Sequence, residues 1–175
     1  MKLDNLRNFE WLNDPYDVAF DDYGMKVVSF ANTEFWQNKE KRIHKDSGHF
    51  FFVRKNGNFD FTVKWRVEDK VKFAQCGLMM RIDENNWFKI CGFGTSVTNA
   101  GYSDWANFEM SESVDEIWYK AKRNGADYIL FYSINGKIWK QARLLHMLND
   151  LAVIKIGAYI CNPGGELFKA TLMEI

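Results

Sequence analysis

Hydrophobic and polar residues alternate along much of this chain. The clearest run is 59–68, where Phe59, Phe61, Val63, Trp65 and Val67 alternate with Asp60, Thr62, Lys64, Arg66 and Glu68. A period of two over this length predicts a strand with one buried and one wet face, because a helix would scatter the apolar side chains around its axis. Shorter strand-like runs cover 50–54, 117–123, 128–134, 153–160 and 167–173. Asn-Gly pairs at 56–57, 124–125 and 135–136 lie between such runs and predict hairpins with type I′ turns, which need positive φ at both central residues. One short helical turn is expected at 144–150, and the charged stretch 37–47 reads as a solvated connection. About ten to twelve strands at this spacing predict an all-β, antiparallel two-sheet sandwich, with residues 1–175 forming a single domain.

The stretch 73–93 carries the most information. Ala74, Cys76, Leu78, Met80 and Ile82 share one parity, and Gln75, Gly77, Met79 and Arg81 the other. In the next run Phe88 and Ile90 are the apolar pair, alternating with Trp87, Lys89 and Cys91. Facing both apolar sets to one core sets Ile82 opposite Phe88 and Met80 opposite Ile90, around a three-residue Glu84-Asn85-Asn86 loop with one Asn in the left-handed region. That register places Arg81 opposite Lys89, an unfavourable pair across a ladder. Splayed side chains, a nearby carboxylate or an anionic ligand would each relieve it. If the 153–160 strand joins the same sheet, one surface carries Gln75, Arg81, Trp87, Lys89, Lys155 and Tyr159. Rings that stack on sugar faces, interleaved with amide and cationic donors, suit a carbohydrate or anionic small ligand.

Composition narrows the function classes. The 23 Lys+Arg and 23 Asp+Glu cancel, so no global basic field favours nucleic acid or a membrane surface. No run of ~18 apolar residues is present, and the N-terminal MKLDNLRNFEW lacks an apolar h-region. Cys76, Cys91 and Cys161 form no CxxC pair and are expected as buried free thiols of a cytoplasmic protein, with a Cys76–Cys91 bridge as the alternative.

Several motifs resemble those of the uncharacterised regulation-of-enolase-like family (domain of unknown function 1349). They are Glu34-Phe35-Trp36, the run from Gln75 to Asp83, Trp87-Phe88-Lys89, Val97-Thr98-Asn99 with Tyr102-Ser103-Asp104-Trp105, and Ser133-Ile134-Asn135-Gly136 followed by Trp139 and Arg143. The resemblance spans residues 10–170 and implies a concanavalin A-like jelly roll, a lectin/glucanase fold with a concave face. It implies no established reaction. The segment between Lys89 and Thr98 is shorter than the family's usual hairpin.

Catalytic signatures are missing. The Glu-x-Asp-x-x-Glu spacing that sets glucanase carboxyls on one strand face does not occur. His44, His49 and His146 show no metal-binding spacing and read as surface or packed histidines. No phosphate loop or nucleophile motif is found, and no cofactor is expected; a loop calcium would leave little sequence trace. Asp104 and Ser103 suit either loop-holding hydrogen bonds or, with Tyr102 and Trp105, a sugar platform. The expected function is therefore non-catalytic binding of a carbohydrate or polar ligand in a groove lined by Trp87, Lys89 and Arg81. Thr98, Asn99, Tyr102, Asp104 and Trp105 would continue that groove. A regulatory protein with a protein partner is the alternative, and a glycan-active hydrolase a minor one.

Overall fold

The alternating runs become strands, and their apolar parities meet in one core. The computed structural model describes residues 3, 6–67, 71–91, 96–99, 104–107, 114–147 and 153–175, with backbone alone at 96–99, 104, 105 and 107. After a short 3-10 turn at Leu6–Asn8 come β1 (Glu10–Leu12), β2 (Asp17–Asp21), β3 (Gly24–Ser29), β4 (Phe35–Asn38), β5 (Ile43–Asp46), β6 (His49–Asn56), β7 (Phe59–Arg66) and β8 (Gln75–Arg81). They are followed by β9 (Trp87–Cys91), β10 (Ser96–Asn99), β11 (Asp104–Asn107), β12 (Glu116–Asn124), β13 (Asp127–Ser133), β14 (Lys140–His146), β15 (Val153–Cys161) and β16 (Phe168–Glu174). The first sheet runs β1-β6-β15-β8-β9-β10-β11, the second β14-β13-β12-β7-β16-β3-β2, and β4-β5 is a separate two-stranded ribbon. Every named strand pairing is antiparallel. This is the two-sheet sandwich that the alternation predicts and the jelly roll that the resemblance implies.

Between the sheets lies a core that includes Val63, Trp65, Leu78, Met80, Phe88, Tyr119, Tyr128 and Ile156. Full burial of one large apolar side chain is worth roughly 1.5–3 kcal/mol, so this layer dominates the folding energy. Trp65 spans both sheets: its Nε1–H donates to the carbonyl of Gly77 at 2.9 Å. The phenol ring of Tyr128 meets Phe88 edge-on at 5.0 Å.

Several local expectations are corrected. Asn56-Gly57 closes no hairpin, because β6 pairs with β1 and β15 while β7 pairs with β12 and β16. That turn instead arches from one sheet to the other. The Asn-Gly turns are not type I′: Gly57, Gly125 and Gly136 have positive φ, whereas their asparagines do not. Between β12 and β13, Asn124 pairs with Asp127, which leaves Gly125 as the first central residue, as a type II′ turn requires. Leu144, Leu145 and His146 continue β14 rather than opening a helical turn, because they pair with Ile129, Tyr128 and Asp127; residues 148–150 lie outside the described set. The hairpin β8–β9 keeps its predicted core parity but shifts register, with Met80 opposite Phe88, Met79 opposite Lys89 and Arg81 opposite Trp87. None of Glu84, Asn85 and Asn86 takes a positive φ. The Asp83 carboxylate closes this loop by accepting the backbone N–H groups of Asn85 and Asn86. The expected Arg81–Lys89 repulsion therefore does not arise. Cys76, Cys91 and Cys161 are buried free thiols, with no Cys76–Cys91 bridge.

Candidate functional site

The predicted row on the first sheet assembles but is not open. β15 lies beside β8, with Lys155 opposite Arg81 and Tyr159 opposite Gly77, so Gln75, Arg81, Trp87, Lys89, Lys155 and Tyr159 do share one face. By backbone register, Thr98 stands opposite Lys89 and Trp105 opposite Thr98, extending that row. Asn99 and Asp104 fall in the row of Phe88 instead, the core-facing parity. Tyr102 lies outside the described residues.

What covers the row is the stretch read as a solvated loop, 37–47. It forms most of the ribbon β4–β5, which lies over the face and builds a second apolar layer with it. Phe35, Phe50, Phe52, Met79, Trp87, Cys91, Tyr159 and Cys161 form that layer. The expected exposure of the indole at 87 and the guanidinium at 81 is therefore overturned: Trp87 is 0% exposed, Lys89 2% and Arg81 5%. Phe35 plugs the centre, edge-on to Trp87 at 6.1 Å and to Tyr159 at 6.3 Å. Gly48 makes room for it; a Cβ there would stand 2.4 Å from the ring.

The buried cations clamp the ribbon down. Lys89 Nζ donates to the Phe35 carbonyl at 2.6 Å and to Gln75 Oε1 at 2.8 Å. Arg81 grips both oxygens of Asp46, at 2.5 and 2.7 Å. Removing one partner of such a buried pair strands the other, a far larger loss than the net worth of the contact. Burial raises the Tyr159 phenol well above its ordinary pKa and pushes the Cys161 thiol up to about 11. The neighbouring ammonium of Lys89 opposes the Cys161 shift without cancelling it. Neither group supplies a reactive anion near neutral pH.

The open polar and aromatic surface lies on the outward face of the second sheet. Along β7 the parity expected to be wet holds Lys64 and Arg66, but only in part as expected: Lys64 is 8% exposed and Arg66 half-buried, because both pack over rings and Glu116. Glu116, opposite Arg66 on β12, pairs with both: Lys64 Nζ is 2.6 Å from its Oε2, and Arg66 Nε donates to its Oε1 at 2.8 Å. Burial alone would raise the Glu116 pKa, but the two cations prevail and hold it below its ordinary value. Aromatic rings flank these cations. Lys64 Nζ stands 4.1 Å from the Trp118 ring centre, the Arg66 guanidinium 4.9 Å from Tyr23, and Lys120 Nζ 3.7 Å from Trp139. The face thus carries three rings, each with a cation over it.

At one end this face opens into a cavity of about 410 Å³. The β2–β3 turn contributes Phe20, Asp21, Asp22, Tyr23 and Gly24; Lys64, Met173, Glu174 and Leu3 complete the lining. Phe20 and Tyr23 are 64% and 62% exposed. Asp21 is committed elsewhere: its hydrogen bond to Lys26, helped by the turn amides of Tyr23 and Gly24, lowers its pKa. It stays ionised and serves as an acceptor, not a proton donor. The cavity therefore offers acceptors, a donor and two ring surfaces together, a combination suited to hydroxyl groups, which donate and accept at once.

A two-sheet sandwich with this strand order and such faces defines the class: a concanavalin A-like β-sandwich protein. Within that class the chain belongs to the family described as protein of unknown function, DUF1349, whose profile matches residues 11–175. It is 25% identical over 180 residues to Regulation of enolase protein 1 of Saccharomyces cerevisiae, covering 99% of this chain and 90% of that one. The crystal structure of a functionally unknown protein from Saccharomyces cerevisiae superposes with a TM-score of 0.85 at 24% identity, over 97% of this chain and 95% of that one. The carbohydrate-binding module CBM66 from Bacillus subtilis shares the fold at a TM-score of 0.54 and 10% identity, over 95% and 92% of the two chains.

Proposed function

We propose that this protein is a non-catalytic recognition domain that binds a carbohydrate or similar polyhydroxylated ligand on the outward face of the second sheet. The ligand enters the cavity beside Tyr23 and extends toward Trp118. The observation that carries this reading is that Tyr23, Trp118 and Trp139 each stand beside a cation, Arg66, Lys64 and Lys120 respectively. Separate rings with donors in between match sugar faces and hydroxyls, whereas a protein partner favours a contiguous apolar patch of several hundred Å². Glu116 pairs with both Lys64 and Arg66 and offsets one of their two charges, which weakens the pull of this face on an anion. The likeness in fold to a carbohydrate-binding module supports the class of ligand.

A glycan array tests the reading. Wild type binds a subset of glycans, Tyr23→Ala and Trp139→Ala each lose at least tenfold in signal, and Trp87→Phe retains it. A nucleobase stacked on an aromatic side chain gains about 1–3 kcal/mol, and a ring–sugar contact of similar worth corresponds to a loss of roughly 5- to 150-fold. No binding by wild type to any glycan, or equal binding by all variants, would refute the proposal.

A further inference from the structure

We propose that Asn56 is a modification site: its side-chain amide cyclises onto the Gly57 nitrogen and hydrolyses to aspartate or isoaspartate, while the fold protects the Asn-Gly pairs at 124–125 and 135–136 from the same reaction. Ring closure at an asparagine is least hindered when glycine follows, because glycine has no Cβ to crowd its nitrogen. The reaction needs the amide carbon to swing onto that nitrogen. Hydrogen bonds that hold the two groups in other directions therefore slow it. All three asparagines are exposed, so access to water does not separate them. Hydrogen bonding does.

Two of the pairs are held at both reacting groups. Asn124 Oδ1 accepts from Asn58 Nδ2 at 3.0 Å, and the Gly125 N–H donates to Asn58 Oδ1 at 2.9 Å, so one side chain latches both. Asn135 Oδ1 accepts the N–H groups of Lys137 and Ile138, each at 2.9 Å, and the Gly136 N–H donates to Ser133 Oγ at 3.0 Å. Asn56 differs. It ends β6 opposite Val153, and its side chain makes no hydrogen bond to any described residue. The Gly57 carbonyl accepts from Arg123 Nη1 at 3.2 Å, which leaves the Asn56 side chain itself unrestrained. A Cβ at Gly57 would meet nothing within 4 Å, so the approach is also open.

The Gly57 nitrogen, deprotonated by hydroxide, attacks Cγ of Asn56. A C–N bond forms, the bond from Cγ to Nδ2 breaks, and ammonia leaves with a proton from water. A second water then opens the five-membered imide at either carbonyl, and nothing is oxidised or reduced. The neutral amide becomes a carboxylate, which takes the formal net charge of the chain from zero to −1. The change falls on the arch between the two sheets, where isoaspartate also adds a methylene to the main chain.

Incubation of the folded full chain at mildly alkaline pH, followed by peptide mapping with mass spectrometry, tests this. Conversion at Asn56 is expected to run at least tenfold faster than at Asn124 or Asn135, and the three rates to converge when the chain is unfolded in urea. Asn58→Ala removes the latch, and is expected to speed conversion at Asn124 at least fivefold in a chain whose circular dichroism is unchanged. No conversion at Asn56 in the folded chain, conversion at Asn124 or Asn135 as fast as at Asn56, or rates as unequal in urea as in the folded chain would overturn the proposal. So would an unchanged rate at Asn124 in Asn58→Ala.

Discussion

The imidazole of His49 has no room for a second proton. It is 2% exposed, its Nε2 accepts the Phe30 N–H at 3.2 Å, and its Nδ1–H donates to the Asn13 carbonyl at 2.9 Å. Burial lowers its pKa from 6.5, against the opposing pull of the Asn13 hydrogen bond and of Asp14. The unfolded chain therefore binds the proton first. The His49 contribution to stability is complete above pH 6.5 and is lost as pH falls from 6.5 toward the lowered value. The urea midpoint of wild type is expected to fall between pH 7.5 and 5.5, and that of His49→Gln to change less over the same interval. Identical pH profiles would contradict this. Packing of this kind is half legible in sequence. That His49 is packed was open to inference, but its partners, 19 and 36 residues away, were not. Lys89 and Arg81 show the same limit: their parity along the strand was readable, whereas their burial depends on a ribbon more than forty residues earlier for Lys89 and thirty-five for Arg81.

Among the elements, the β4–β5 ribbon decides which face is open. Its sequence hides it, because a reading by apolar period counts Gln37, His44 and Asp46 as solvated, yet hydrogen bonds and an ion pair draw Gln37 and Asp46 inward. Phe35 supplies its anchor. Phe35→Ala is expected to lower stability by about 3–5 kcal/mol, the usual range for a fully buried phenylalanine. In denaturant titrations followed by hydrogen exchange, β4 and β5 should lose protection before the two sheets do. A loss below about 1 kcal/mol would show that the ribbon is not seated on the sheet. The hairpins β8–β9 and β12–β13 were legible because each is local and strongly alternating. The Asn56-Gly57 arch was not, because a tight turn looks the same in sequence whether its flanking strands pair or part.

At the scale of the whole molecule, two sheets present two outward faces, and the ribbon closes one of them. The alternation in 59–68 placed Lys64 and Arg66 on the outward parity, but the burial of Lys64 under its neighbours was not legible there. Which partners surround them follows from the order β12-β7-β16-β3-β2, a set of pairings between distant segments that no local pattern records. The proposed recognition face therefore lies on the second sheet, not on the first, where sequence parity pointed; on the second, Tyr23 stays exposed while Lys64 is buried. The most direct test is a ¹⁵N chemical-shift titration with whichever glycan the wild-type protein binds best. Amide shifts centred on residues 20–24, 64, 66 and 118, with Gln75, Arg81 and Lys89 unmoved, are the predicted result. Shifts centred on Gln75, Arg81 and Lys89, with the β2–β3 turn unmoved, would contradict the account.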